Sequence, residues 1–261
     1  MKNERFSALF CCLFVATVLF LTTAVSADLV SYWSFDESSG GTAYDSANGH
    51  DGTVTNAIWA AGKVGGALNF DGDSYVDIPY CSELDIDAQN GITVAAWVKA
   101  TDYPADHPLT RPHGPIFGLF SNSDNTNGSK NFLTLTDFGN GYKFAWDQYK
   151  PQSGWLDSVT PNLNQWYHVA AVQNSNFRGI YINGVLAASD NSPEVYSSGS
   201  PSKIRIGGGA LGWEPCGFEG LIDEVMVYNN DLSASEIQAL VPEPTTVLLI
   251  SLGALLIKRK K

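Results

Sequence analysis

The sequence predicts an all-β chain folded as an antiparallel two-sheet sandwich, and three observations carry that expectation. Short runs alternate apolar and polar residues from Leu29 to Tyr228, clusters of Gly, Asn, Asp and Ser punctuate them, and no long amphipathic helix interrupts the series. About 214 residues between the two ends are enough for one large sandwich with a closed core, and two domains are not required.

In chain order, strands are expected at Val30 to Phe35, Ala67 to Phe70, Tyr75 to Ile78, Ile92 to Lys99 and Phe132 to Thr136. Others follow at Tyr142 to Asp147, Trp166 to Gln173, Arg178 to Ile182, Lys203 to Ile206 and Leu221 to Tyr228. Side chains on a strand alternate with a period of two, so Tyr142, Phe144 and Trp146 share one face, read as core, and Lys143 and Asp147 the other. Asn183-Gly184 separates two apolar runs and predicts a type I′ hairpin, because both residues tolerate positive φ. Ser233 followed by Glu236 forms a capping box, with Leu232 and Ile237 placed to staple a short closing helix through Leu240. Residues 101–114 hold three prolines and two histidines without alternation and read as a long loop, the kind of segment in which binding tends to reside.

The two ends have a different character. Lys2 and Arg5 precede an apolar run from Leu9 to Leu21, and Val25-Ser26-Ala27 supplies small residues at a cleavage site, the pattern of a signal peptide over residues 1–27. At the other end Pro242-Glu243-Pro244 leads into an apolar stretch from Thr245 to Ile257 and then Lys258-Arg259-Lys260-Lys261. Thirteen helical residues reach about 20 Å, short of a roughly 30 Å hydrocarbon core, so this segment spans only with snorkelling or bilayer thinning. The basic end should stay cytoplasmic. The arrangement of residues 241–261 resembles the PEP-CTERM sorting signal of exported proteins in Gram-negative, matrix-producing bacteria. That resemblance implies transient anchoring in the inner membrane, processing near Pro242, Glu243 and Pro244 by an exosortase-type enzyme, and a destination at the cell surface or in the extracellular matrix.

Between the ends, nine Lys and Arg face 25 Asp and Glu, a balance of −16 within a chain whose total is −12. Such a field repels nucleic acid and polyanions, which excludes nucleic acid as a partner and leaves neutral ligands, cations and metal-bridged anions. Cys11 and Cys12 lie in the leader, so Cys81 and Cys216 alone remain in a compartment that permits a disulfide.

Residues 28–240 also resemble a known family. Leu29 to Glu37, Tyr44-Asp45-Ser46-Ala47-Asn48-Gly49 and Gly65 to Gly72 look like the opening of a laminin-G-like jelly roll of the concanavalin A kind. Val94 to Val98, Trp166 to Ala170, Tyr181 to Gly184 and Gly220 to Val225 match its later blocks. The resemblance implies a binding module for an extracellular glycan or a surface protein, sometimes with calcium, without supplying the ligand, since one fold hosts many functions. A structural matrix protein and a polysaccharide-active hydrolase or lyase are the rival classes.

Candidate sites follow from residue chemistry. Hard oxygen ligands for calcium are sought near the first and last strands, at Asp36, Asp45, Asn48 and Asp223. Ligand-stacking aromatics are sought in loops, at Tyr103, Trp155 and Trp213, whereas Trp33, Trp97 and Trp166 read as core. His107 and His113 with Asp102 and Asp106 offer weak transition-metal spacing. Catalysis is not expected. The fold's hydrolases carry paired acids on one strand, and here the nearest run is Glu219 to Glu224, in which adjacent Asp223 and Glu224 should point to opposite faces. No Gly-x-Ser-x-Gly elbow exists, and His168 reads as a strand histidine of the sandwich.

Overall fold

A computed structural model of the chain describes residues 29–86, 90–104, 113–120, 129–137, 139, 141–147, 156–191, 203–209 and 217–241. The expected leader and, from residue 242 on, the expected sorting tail lie outside these residues. Among the described residues no helix is long and apolar enough to cross a membrane.

The strands are β1 (Leu29–Trp33), β2 (Thr42–Ala43), β3 (Gly52–Thr55), β4 (Ile58–Ala61), β5 (Gly66–Asp71), β6 (Tyr75–Ile78), β7 (Ile92–Ala100) and β8 (His113–Phe120). They continue with β9 (Ser129–Asp137), β10 (Tyr142–Asp147), β11 (Leu156–Asp157), β12 (Tyr167–Gln173), β13 (Arg178–Ile182), β14 (Val185–Asp190), β15 (Lys203–Ile206) and β16 (Glu219–Tyr228). A first sheet runs β14-β13-β12-β7-β16-β5-β4, with β1 also on β16, and a second runs β11-β10-β9-β8-β15-β6-β3-β2. The described pairings within both are antiparallel. This is the jelly-roll sandwich that the alternation demands: with one face of each sheet apolar, the two faces can leave water only by meeting each other.

The main core lies between the sheets. It takes Val94, Ala96 and Val98 from β7, Val169 and Ala171 from β12, and Ile222, Val225 and Val227 from β16. The second sheet meets them with Leu133 and Leu135, Phe144 and Trp146, and Ile204 and Ile206. The aromatic face of β10 is therefore core, as its alternation requires; Trp146 is fully buried and its indole N–H donates to Gln173 Oε1 at 2.5 Å.

A smaller cluster forms on the outside of the first sheet. Ala95, Ala170, Val172, Tyr181 and Tyr228 pack beneath Leu232 and beneath Ile237 of the closing helix α1 (Ala234–Ala239) that follows it. Its capping box is complete, with Ser233 Oγ accepting from Glu236 N–H and the Ser233 N–H donating to the Glu236 carboxylate at 2.7 Å. The Asn183-Gly184 turn has φ of 52° and 79°, the type I′ signature, and α1 rests against it: a Cβ on Gly184 would lie 3.3 Å from Gln238 Cα.

Two expectations change here. Part of residues 101–114 is strand, because β8 begins at His113, where its ring bonds Thr136 Oγ1 at 3.0 Å. The first strand ends earlier than expected, as Phe35 enters the left-handed region (φ 56°) and turns the chain.

Candidate functional site

Asp45 occupies the crossing of the first strand and the β2–β3 connection. Its Oδ1 accepts the N–H groups of Tyr32 (2.7 Å) and Ala47 (2.9 Å), and its Oδ2 those of His50 (3.0 Å) and Asn48 (3.3 Å). His50 Nδ1 lies 3.2 Å from the same oxygen. Burial works against the charge, but the four amide donors together outweigh it and hold the carboxyl below its ordinary range. A carboxylate offers about four lone-pair sites, and here all are taken. Asp45 is thus a clamp that folds residues 45–50, and it has nothing left for a cation, contrary to the expectation of a calcium ligand. Asn48 closes the same turn, its side-chain N–H groups donating to Leu29 O (3.2 Å) and Val30 O (2.9 Å).

Asp36, Asp223 and Glu224 form a separate group around Tyr32. Register on β16 slips between Asp223 and Met226, and Glu224 sits at φ 54°. This is a β-bulge, in which an extra residue breaks the alternation. Since Ile222 and Val225 both enter the core, Asp223 and Glu224 both project from the outer face. The expectation that they point to opposite faces fails for this reason.

Asp223 is fully buried, with Oδ2 accepting the N–H groups of Lys63 (2.8 Å) and Val64 (2.9 Å) while Oδ1 has no hydrogen-bond partner. Burial above all, with the Glu224 charge added, pushes its pKa to about 7 against those amide donors. Glu224 accepts from the Tyr32 hydroxyl at 2.7 Å; burial raises its carboxyl, that bond lowers it, and the Asp36 charge raises it again. Burial and Glu224 together hold the Tyr32 phenol far above its ordinary range. Asp36 bonds Gly66 N–H at 2.6 Å, and Gly65 (φ +58°) is required beside it, because a Cβ there would stand 2.0 Å from Asp36 Oδ1. The β4–β5 turn therefore lies over both aspartates.

Trp97 pairs across β7 with Asp223 on one side and His168 on the other. Lys63 Nζ sits 4.8 Å from its ring centroid and the His168 ring meets it edge-on at 5.4 Å. His168 is buried, its Nδ1 has no partner, and burial drives its pKa down to about 4, so it is a neutral strand histidine. Trp33 is fully buried in the core. Trp97 is buried on the outer face, and Trp166 is half-buried beneath Lys99 Nζ at 5.1 Å, so neither belongs to the inter-sheet core.

Of the three stacking aromatics, Tyr103 is described. Its ring stacks on Tyr142 (centroids 4.4 Å, 11° between planes) and its hydroxyl donates to Pro161 O, so it packs the edge of the core and presents no open platform, contrary to expectation. Trp155 and Trp213 lie outside the described residues, in connections that flank second-sheet strands β11 and β15. The outer face of that sheet carries Arg205, paired with Asp77 Oδ1 at 2.6 Å, bonded to Gly209 O at 2.7 Å and set 3.9 Å over the Tyr75 ring. Cys81 is a free thiol among the described residues, and Cys216, its expected partner, lies outside them. Of the weak transition-metal set, Asp106 and His107 also lie outside them.

Sequence reasoning missed Glu224 and Tyr32 as members of the acidic group. The signal was the spacing of Ile222, Val225 and Val227, which breaks the period of two once.

These features define a lectin-like β-sandwich with buried, fold-serving carboxylates and ligand candidates in its connections. Residues 70–238 match the family profile of laminin-G type in the concanavalin A-like lectin/glucanases superfamily, and the chain belongs to that family. No curated protein sequence matches it. Among solved structures it is similar to domain 4 of AbnA, a GH43 extracellular arabinanase from Geobacillus stearothermophilus in complex with arabinotriose, at 23% identity and a TM-score of 0.60, covering 82% of this chain and 98% of that one. It is also similar to Trypanosoma rangeli sialidase (20%, TM-score 0.61, 83% of this chain, 33% of that one) and to the binding domain of Paraclostridial Mosquitocidal Protein 1 (16%, TM-score 0.60, 82% and 52%). The chain thus spans about a third of the sialidase. At these identities the likeness concerns the fold.

Proposed function

We propose that the chain is an exported, non-catalytic binding module for an extracellular carbohydrate, sorted to the surface or matrix of a Gram-negative bacterium through its C-terminal tail. The observation that supports it most is the match to a domain of an extracellular arabinanase, 98% of which is covered and which was solved with arabinotriose. The Asp223 geometry supports the non-catalytic reading: a carboxyl that is fully buried, with one oxygen committed to two backbone amides, cannot reach a glycosidic bond. Recognition then falls to the connections around the second sheet, with Trp155 and Trp213 as stacking residues.

A structural calcium ion belongs to the same reading, with a revised ligand set. The charges of Asp36, Asp223 and Glu224 all bear on Tyr32 and Asp223 Oδ1 lacks a partner, so they are the donors proposed; they do not stand at ligand distance from one another in this structure and would have to draw together to hold the ion, whereas the Asp45 oxygens are already filled by amides. In the cell the tail would hold the chain in the inner membrane until an exosortase-type enzyme cuts near Pro242–Pro244.

Residues 28–241 on a glycan array, run beside turnover assays on the same polysaccharides, test the proposal. Reproducible binding that Trp213→Ala abolishes, without turnover, is expected. Turnover abolished by one carboxylate change would establish an enzyme instead, and no binding to any glycan would favour a structural matrix protein.

A further inference from the structure

His50, Cys81 and Glu83 each place one ligand atom within 4.8 Å of the other two. They come from two separate segments. His50 ends the turn that Asp45 clamps, and Cys81 and Glu83 flank the start of the short 3-10 turn Ser82–Leu84 that follows β6. The set mixes an imidazole, a thiol and a carboxylate, the donor types of borderline metals, and differs from the all-oxygen group on the first sheet.

Each donor is oriented by a neighbour. His50 Nδ1 lies 2.7 Å from Ser31 Oγ and 3.2 Å from Asp45 Oδ2, while Nε2 faces Glu83 Oε2 at 4.0 Å. A proton on Nδ1, donated to Ser31 Oγ and facing the anionic Asp45, leaves the Nε2 lone pair free, an arrangement in which a neighbouring oxygen fixes the tautomer of a metal-bound imidazole. The backbone of the imidazole is fixed as well, since His50 O accepts the Trp33 indole N–H at 3.0 Å. At Cys81 burial above all, with the charges of Glu83 and Asp45, holds the thiol above its ordinary range against the amide N–H groups of Leu84 and Glu83. A divalent cation among these groups would reverse the opposing charges and leave the two amides in place.

We propose that His50 Nε2, Cys81 Sγ and Glu83 form a three-ligand site for zinc or a similar borderline divalent metal, which pins the Asp45–His50 turn to the 3-10 turn. Tetrahedral zinc at about 2.0 to 2.3 Å from its ligands needs donors roughly 3.3 to 3.8 Å apart. The present spacing therefore closes by about an ångström, and Glu83, whose side chain is 62% exposed, can swing to supply that movement. Asp45 is not the fourth ligand, because its lone pairs are filled. The fourth position opens to solvent and takes water. This site is independent of the carbohydrate reading.

The rival account of the same geometry is an imidazolium bridging Asp45 and Glu83 without metal. The full chain, purified in mild detergent, freed of metal by chelator and kept reduced, is titrated with cobalt(II) as a spectroscopic stand-in and then with zinc. The expected result is a thiolate-to-cobalt charge-transfer band with tetrahedral ligand-field bands, all displaced by zinc, and a rise in Tm with zinc. Cys81→Ser should remove the thiolate band, Glu83→Gln should weaken binding about 10-fold or more, and Cys216→Ser should leave both unchanged. Circular dichroism of each variant separates loss of binding from loss of fold, and both changes are at partly exposed positions. Absence of the band at saturating cobalt, its survival in Cys81→Ser, or its loss in Cys216→Ser would overturn the ligand set.

Discussion

Asp45 and Asp223 are both buried aspartates of the same sandwich, yet their carboxyls behave in opposite ways. Asp45 receives four backbone amides spread over both oxygens and is held below the ordinary carboxylate range. Asp223 receives two, both on Oδ2, keeps an orphan Oδ1 beside the Glu224 charge, and rises to about 7. The lesson is that burial does not decide a carboxyl's charge. The supply of donors does, and a turn that wraps around one side chain supplies more of them than a hairpin laid across a bulge.

The largest expected effect comes from removing the better-supplied member. Asp45→Ala strands four backbone N–H groups at once, so a loss of roughly 3 kcal/mol or more in denaturant unfolding is expected, with Asp45→Asn losing less. A change below 1 kcal/mol would break the comparison, because it would mean the amides find other partners.

A pH series sharpens it. Asp223 binds its proton more tightly folded than unfolded, so between its unfolded value near 3.8 and its folded value near 7 the folded state carries more protons, and this contribution to stability falls as pH rises. His168, lowered from 6.5 to about 4, binds its proton less tightly when folded, so its contribution is complete above 6.5 and is lost as pH falls toward 4. The two slopes oppose each other between pH 4 and 6.5 and lie on either side of Trp97. Thermal melts of the intact protein should therefore vary little across that window. Asp223→Asn should unmask a stability that rises with pH by roughly 2 to 3 kcal/mol, and His168→Gln one that falls. Parallel profiles in the two variants would contradict the assignment. Calcium, where it binds the Asp36 group, should remove the Asp223 slope, and a chelator should restore it.

A smaller effect lies far from both aspartates. Ser233→Ala opens the capping box of α1 and should cost about 1 kcal/mol, read as a Tm shift of a few degrees; no shift would show that packing of Ile237 alone holds the helix.

Much of this was legible in the sequence. The expected strands are present, with alternation holding in β10 and broken by the bulge in β16, and the Asn183-Gly184 turn and the Ser233 cap follow from local chemistry that tertiary context did not disturb. The strands that escaped notice escaped for physical reasons. β2 and β11 have two residues each, and β3 and β4 four, too few to show a period. In β8, Gly114, Pro115 and Gly118 interrupt a segment that is buried on both faces, so neither alternation nor propensity marks it as strand. The acidic group was half legible: its aspartates stand out, but the bulge that turns Glu224 outward depends on a register that only pairing with β7 fixes. The His50, Cys81 and Glu83 cluster was hidden altogether, because thirty residues separate its two segments and no ligand spacing joins them.

The account rests on a division of labour in which buried carboxylates serve the fold and recognition belongs to the connections of the second sheet. One glycan-array measurement on three chains tests it: the unchanged protein, Trp213→Ala, and Asp223→Asn with Glu224→Gln. The account expects the carboxylate variant to keep the parent binding profile and Trp213→Ala to lose it. A profile that survives without Trp213 but vanishes with the carboxyls would contradict it.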